Sequence, residues 1–531
     1  MAISAISAVP DAGFAPRTSA VRPVQAVHAA ASPAVMRIIF GFDDTQLQRG
    51  QQVPVAWSEA DAVNGHMLLA GKSGSGKTFT LRRIVRQITR AQRSVRVHLM
   101  DVHGDLELDD CSTVIFSEST PYGINPLKLS ANPHYGGVRK RIQAFIEMVN
   151  DSSRTPMGDR QVASLRNLLQ DLYAMQGFRA DDASTWHEEQ GAAPPGDGRI
   201  YLDIPFEAKD GAKDAARAAG LTLQFDREAK CWWTDRHEGP LERYPRKRFG
   251  KHYPSLADAA AFAKTRLRTL TAGGGTKSTR LLEEHNKRVV AWQAKARKFA
   301  AGLGNGEDVE EARQEVERGV DGVIESFSEY VAGIATGKEL DALIRYDTMD
   351  TMRSIVNRLE TIVASGIYRS AEPPFDDAAP VWRYNLTALS STEQKMFVWT
   401  RLTEIFENAR ERGIVKGAAE LRDVIVVDEA HQFFADKDTN ILDRLAKEAR
   451  KFGVALIAAS QSPTHFSEDF LANCGTKCLL GLDSLYFDGT VRKMRIDKEV
   501  LNAVVPGKVA AIQTAVRGEQ SPQFKLVRVS G

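Results

Sequence analysis

Short apolar runs recur along this chain, each closed by a polar or glycine-bearing turn and most followed by helical spacing. Folded sequence is expected to begin near Met36, with residues 37–41 as a first strand and residues 50–57 as a small strand pair. Residues 66–70 and 95–100 read as buried strands, and residues 113–116 as a third short one. Between the first two, Leu81, Ile84, Val85 and Ile88 keep the spacing of one helix face. The same alternation resumes far downstream. Residues 381–386, 424–427, 454–459, 478–481 and 509–512 are apolar, with helices expected up to about Arg412 and from Ile441 to Lys451. Strands apolar on both faces and separated by helices predict an α/β fold. Its mainly parallel sheet is built from two sequence-distant halves around a large insertion.

The interval between the halves has a different character. Residues 139–173 read helical, and residues 190–198 form a Gly/Ala/Pro linker. A small self-contained α+β unit is expected from Tyr201 to about Tyr244, with an Ala-rich helix at 210–219 and the pair Trp232-Trp233. Residues 243–253 interleave Arg243, Arg246, Lys247, Arg248 and Lys251 with Tyr244, Phe249 and Tyr253. That composition suits either a surface that tracks a nucleic-acid backbone and stacks bases or a solvated tether. Residues 281–299 and 309–330 predict a helical hairpin, because Val309, Ala312, Val316, Val320, Val323, Phe327 and Tyr330 follow a 3-4 spacing. The glycines at 273–275 lack phosphate-loop spacing and predict a flexible connection. The expected partition has a disordered Ala/Ser/Pro-rich tail at 1–35, half of the core at 36–150, and a helical segment with linker at 151–195. The small module at 196–253, the hairpin at 254–345 and the second half of the core at 346–531 follow.

Composition narrows the class without naming a partner. The 531 residues are 43% hydrophobic and 26% charged, and Lys+Arg 70 against Asp+Glu 68 leaves +2. Any nucleic-acid contact would need a local basic patch. Cys111, Cys231, Cys474 and Cys478 make neither a CxxC pair nor zinc-ligand spacing, which predicts buried thiols in a reducing compartment. No apolar run approaches the roughly 20 residues of a membrane span. The first 35 residues lack the compact apolar centre of a secretory signal, so a cytoplasmic protein is expected.

The chemistry concentrates at Gly71-Lys72-Ser73-Gly74-Ser75-Gly76-Lys77-Thr78, between an apolar strand and a helix. That context is what a phosphate-binding P-loop requires. Glycines let backbone N–H groups turn around phosphate oxygens, with the positive end of the helix behind them. Lys77 is expected to reach the β- and γ-phosphates of ATP, and the Thr78 hydroxyl to hold Mg²⁺. The apolar strand ending in Asp428-Glu429 supplies what the loop lacks. Asp428 is the expected metal carboxylate, and Glu429 the group that positions or deprotonates the attacking water. An acidic pair at this place could instead cap the next helix. Gln461, ending the following strand, is placed to sense the γ-phosphate.

Taken as a series, residues 66–78, Met100–Asp105, Val427–His431, Arg450–Gly453 and Ala459–Pro463 resemble the HerA/FtsK superfamily, and within it HerA and the conjugation ATPases of type IV secretion. The resemblance covers about residues 36–150 and 346–531. It implies a RecA-like ATPase core in a hexameric ring that pumps duplex DNA, with an arginine inserted from a neighbouring subunit. Arg450 occupies the family's basic position before the Gln-bearing strand, and a solvated arginine at a helix end is the plainer alternative. HerA-type proteins carry a β-barrel ahead of the core, where this chain has some 35 low-complexity residues. A nuclease docked through a barrel is thus not implied, and a nuclease, conjugation or defence partner stays open. The segment from Tyr201 to Trp233 is similar to a small module of unknown function found in plasmid primases. The alternative function is an ATPase that energises a secretion or conjugation machine, or gates a defence partner, without moving DNA.

Overall fold

The computed structural model describes residues 35–153, 155–191, 199–204, 208–227, 229–244, 246–247, 249–271, 276–332, 345–416, 420–434 and 440–529. The expected tail before Val35, residues 192–198 of the linker, Pro205, Phe206, Arg248 and the glycines at 273–275 lie outside them.

Strands β1 to β5 are Arg37–Asp43, Pro54–Ser58, Met67–Ala70, Arg96–Asp101 and Cys111–Ile115. In the middle of the chain come β6 (Glu189–Gln190), β7 (Ile200–Leu202), β8 (Gln224–Asp226), β9 (Cys231–Thr234) and β10 (Gly250–Lys251). The last six, β11 to β16, are Val381–Asn385, Asp423–Val427, Val454–Ser460, Thr476–Leu479, Val509–Thr514 and Lys525–Arg528. Eleven of these form one sheet in the order β2-β1-β16-β15-β14-β3-β13-β12-β4-β11-β5. From β14 to β5 every neighbour is parallel, and β15, β16, β1 and β2 add an antiparallel wing. The fold is the α/β class with a mainly parallel sheet that the apolar runs predict.

Period-two alternation explains why those runs are continuous. Leu68, Ala70, Ile425 and Val427 enter the core layer on one face, and Met67, Leu69, Val424 and Val426 the layer on the other. A strand covered on both faces leaves little place for a polar side chain without a buried partner.

Three local expectations change. Residues 50–57 give one strand rather than a pair, because the Gly50 and Gln51 N–H groups bond back to Leu47 and Gln46 and close the short helix Asp44–Gln48. The helix Leu256–Thr271, grouped by sequence with the hairpin, packs on Met349–Ala364 and puts Leu256, Ala259 and Ala263 into the sheet's own core. The hairpin proper is Thr276–Ala300 against Gly306–Ala332. The third change concerns the basic-aromatic run. Tyr244 is buried in the module's core with Leu202, Ala212, Ala216 and Leu241. Phe249 meets Tyr201 edge-on at 5.3 Å, and Tyr253 stacks on Phe178 at 5.2 Å. Lys247 pairs with Asp203 at 3.2 Å, and Lys251 donates to the Thr185 carbonyl at 2.6 Å. The rings of this run pack within the module and against its base.

Among the described residues no helix is long and apolar enough to cross a membrane. Cys231, Cys474 and Cys478 are buried free thiols, and Cys111 is half-buried and free.

His66, just before β3, is buried and accepts the Leu456 N–H at Nδ1 over 3.1 Å. Burial, reinforced by the charge of Arg450, lowers its pKa from 6.5 to about 4. The unfolded chain therefore takes up a proton that the folded chain refuses. This contribution to stability is intact above pH 6.5 and is lost as pH falls toward 4. Replacing the titrating ring, His66→Gln should flatten the decline of the denaturation midpoint over that range. A decline as steep as in the parent chain would place the acid sensitivity elsewhere.

Candidate active site

Because β3, β13, β12 and β4 are adjacent and parallel, their C-terminal ends share one edge of the sheet. That edge is where open α/β sheets hold ligands. Four segments meet there: the glycine loop after β3, Ser460-Gln461 at the end of β13, Asp428-Glu429 after β12, and Asp101–Asp105 at the end of β4.

The loop is fixed from beneath by its own backbone. Gly71 N–H donates to the Ser460 carbonyl at 3.0 Å and Lys72 N–H to that of Gly481 at 2.8 Å. A Cβ on Gly71 would lie 2.3 Å from Ser75 Oγ and 3.1 Å from Leu480 Cβ, so only glycine fits. Gly74 and Gly76 take left-handed φ values of 73° and 93°, and a Cβ on either would meet open space. The helix Lys77–Ala91 starts from this turn with its first N–H groups lacking intrahelical acceptors. Lys77 Nζ donates to the Gly71 carbonyl at 2.8 Å and sits 3.6 Å from Glu429 Oε1. Thr78 Oγ1 donates to Asp105 Oδ2 at 3.1 Å.

Asp428 and Glu429 are both buried, with opposite consequences. Burial, then the Glu429 charge, pushes the Asp428 carboxyl up to about 6. Burial also works against ionisation of Glu429, but His431 and Lys77 outweigh it and hold that carboxyl below the usual range. Glu429 lies at φ 45°, a left-handed conformation rare outside glycine, and its side chain makes no capping bond to the turn Ala430–Phe433. Its Oε2 is 3.2 Å from His431 Nδ1, yet it is sealed from solvent with no well-aligned donor. Ser460 Oγ stands 3.3 Å from His431 Nδ1 and 3.1 Å from His465 Nδ1, which links the end of β13 to the carboxylate.

The third segment is shaped by Asp101, which is wholly buried. It accepts N–H bonds from Gly104 at 2.7 Å and Leu106 at 3.2 Å and pairs with Arg383 Nη2 at 2.6 Å. Arg383 also donates to the Gly104 carbonyl at 2.7 Å. This cast turn carries Asp105 to Thr78.

The sequence pointed to Lys77, Thr78, Asp428, Glu429 and Gln461, and all five lie on this edge, Gln461 exposed beside Ser460. Arg450 does not. It is exposed in the turn Ala449–Phe452 before β13, so the seven residues of that strand, about 23 Å, separate it from this chain's own loop. Asp105, His431, Ser460, His465 and Arg383 had no assigned role. The only local hint was a strand-ending acid with glycine three residues on, Asp101 to Gly104.

The edge fits a bound polyphosphate. Ser75 Oγ and Glu429 Oε2 are buried without hydrogen bonds, Gly74 and Gly76 face open space, and Lys77 supplies the cation. Among the described residues no group of three or more His, Cys, Asp or Glu could hold a metal, so a divalent ion here would draw most of its ligands from phosphate and water.

A glycine loop heading a helix, beside a strand-end carboxylate pair on a parallel sheet, defines a P-loop NTPase domain of RecA-like fold. Within that class the core is HerA/FtsK-like: residues 45–136 match the family model described as "Helicase HerA, central domain". Residues 199–244 match a domain of unknown function, DUF5710. The chain is similar to the DNA double-strand break repair helicase HerA of Sulfolobus acidocaldarius, 35% identical over 102 residues, 18% of this chain and 20% of that one. It also resembles the HerA of Sulfurisphaera tokodaii, 27% identical over 187 residues, 32% and 37% of the two chains. These matches span well under half of those relatives. The VirB4 structure of Thermoanaerobacter pseudethanolicus shares the fold, with TM-score 0.52 and 13% identity over 93% of this chain and 96% of that one.

Arg383→Ala would leave Asp101 buried and unpaired, at a cost of about 3–5 kcal/mol. Chemical denaturation should show a loss of that order, and nucleotide binding should weaken with it. A loss below about 1 kcal/mol would mean the pair does not cast the turn.

Proposed function

We propose that this chain is an ATP-hydrolysing motor of the HerA/FtsK type, a ring-forming translocase or helicase-like pump acting on DNA. The observation that carries the reading is the meeting of Lys77, Thr78, Asp428 and Glu429 at one edge of four adjacent parallel strands. A Lys beside a buried glutamate is a site built for phosphoryl transfer to water. Lys77 bridges the Gly71 carbonyl and Glu429, and it exchanges those partners for the β- and γ-phosphate oxygens of ATP. Glu429 is then released to take the proton of the attacking water. Its depressed pKa keeps it ionised, as a base must be. Thr78 and, through water, Asp428 would hold Mg²⁺, which supplies charge neutralisation between the phosphates. Gln461, directly after β13, would sense the γ-phosphate from this edge. A small cavity lined by Phe79, Thr80, Gly507, Lys508 and Val529 flanks the loop.

The DNA reading draws on the HerA relatives, whose name states DNA repair, and on the shared core. Steady-state ATP hydrolysis with and without duplex DNA tests it: DNA should stimulate turnover. Turnover indifferent to DNA would move the chain to the class of secretion energisers or partner-gating ATPases.

Lys77→Ala should abolish hydrolysis and weaken nucleotide binding, whereas Glu429→Gln should keep binding and lose turnover by roughly two to four orders of magnitude. Hydrolysis at the parental rate in the Gln variant would remove Glu429 from the mechanism.

Arg450 can serve only a neighbour's site. Arg450→Ala subunits should bind ATP and barely hydrolyse it, and mixing them with Glu429→Gln subunits should restore part of the activity at mixed interfaces. No recovery in mixtures shown by native mass spectrometry to co-assemble would end the shared-site reading.

A further inference from the structure

The hairpin Thr276–Ala300 and Gly306–Ala332 has no part in the nucleotide edge, and it exposes a surface of its own. Along the second helix the seam turned toward the first runs through Ala312, Val316, Gly319 and Val323. Gly319 permits a close approach there, since a Cβ would lie 2.8 Å from His285 Nδ1. One residue further round, Val320, Ile324, Phe327 and Val331 make a second stripe at the 4-3-4 spacing of a coiled-coil seam. They remain 39%, 58%, 44% and 54% exposed. Among the described elements, each helix of the hairpin packs chiefly on the other.

Charge indicates what covers this stripe. The helix that bears it carries nine acidic residues against two basic ones. Over residues 281–300 the first helix carries five Lys or Arg against two Glu. The first helix also exposes Leu282 and Val290, two turns apart, at 41% and 58%, with Lys287 one turn and Arg297 two turns from Val290. Each chain thus presents an apolar stripe flanked by acid and an apolar stripe flanked by base. Two copies satisfy both at once.

We propose that the stripe Val320–Ile324–Val331 docks the basic helix of a second copy of this chain, forming an intersubunit helical bundle outside the nucleotide sites. Burial of the apolar residues supplies affinity, and Asp321 and Glu325 facing Lys287 and Arg297 set the pairing. The proposal does not depend on what the nucleotide edge does.

A photo-crosslinking amino acid placed at position 324 of the full chain tests it. Light and heavy isotope-labelled chains are mixed, irradiated without nucleotide and digested. Crosslinks from 324 of one copy to residues 281–300 of the other are expected. Crosslinks only within a chain, to another region of the second copy, or none at all would overturn the proposal. In parallel, Ile324→Asp with Val331→Asp should weaken self-association about tenfold or more by sedimentation, and Lys287→Glu with Arg297→Glu should do likewise. Combining that acidic variant with Asp321→Lys and Glu325→Lys chains should recover it. Unchanged association in both single-sided variants would refute the docking, while ATP hydrolysis by the parent chain reports separately on the nucleotide reading.

Discussion

The buried pair between Asp101 and Arg383 is the contact on which the arrangement turns. Asp101 ends β4 in the first half of the sequence, and Arg383 lies in β11, beyond the whole insertion. An aspartate with no solvent contact at all would be costly without its guanidinium. The pair forms only once β11 has entered the sheet between β4 and β5. The two halves are therefore not two lobes. They are interleaved, and the residue that completes the first half's active-site turn comes from the second.

Interleaving also dictates where the insertion can go. The chain leaves β5, builds the helices Val138–Ser152 and Asp159–Met175 against one face of the sheet, and returns through Leu256–Thr271 and Met349–Ala364 on the same layer. Those helices are part of the core. The module and the hairpin carry their own packing instead, the module around Leu202, Ala212 and Leu241 and the hairpin between its two helices. β6 pairs with β10 at the module's two ends, so the excursion starts and finishes at one place. An excursion closed in this way adds a unit without altering the register of β4, β11 and β5.

What could be read in the sequence follows from the same distinction. The glycine loop, Thr78 and the pair Asp428-Glu429 were legible because their chemistry depends on spacing within a few residues of a strand end. The sheet was legible because strands buried on both faces leave unbroken apolar runs. Arg383 was not, since nothing beside it in the chain indicates that its partner is Asp101. Ser460, His431 and His465 come together from the ends of two neighbouring strands, which only the sheet order reveals. The run around Tyr244, Phe249 and Tyr253 stayed open between two readings for a related reason. Composition cannot distinguish a ring that stacks on Phe178 or Tyr201 from one offered to a ligand. Arg450 was named by position alone, and the strand it precedes carries it away from its own loop.

At the site, the left-handed backbone of Glu429 aims its carboxylate back across the edge, where Lys77 lies against one oxygen and His431 against the other. A non-glycine residue keeps such a conformation only where its surroundings over-determine it. Here one restraint is the lysine that phosphate would claim, and the other is tied through Ser460 to the end of β13. Phosphate binding would relax the first restraint and leave the second, so Glu429 would be freed toward the site while His431 still fixes where it points. Ser460 immediately precedes Gln461, so the strand end proposed to sense the γ-phosphate also carries the histidine's anchor. A shift of β13 would therefore move Ser460 and, with it, the His431 ring that stands against Glu429.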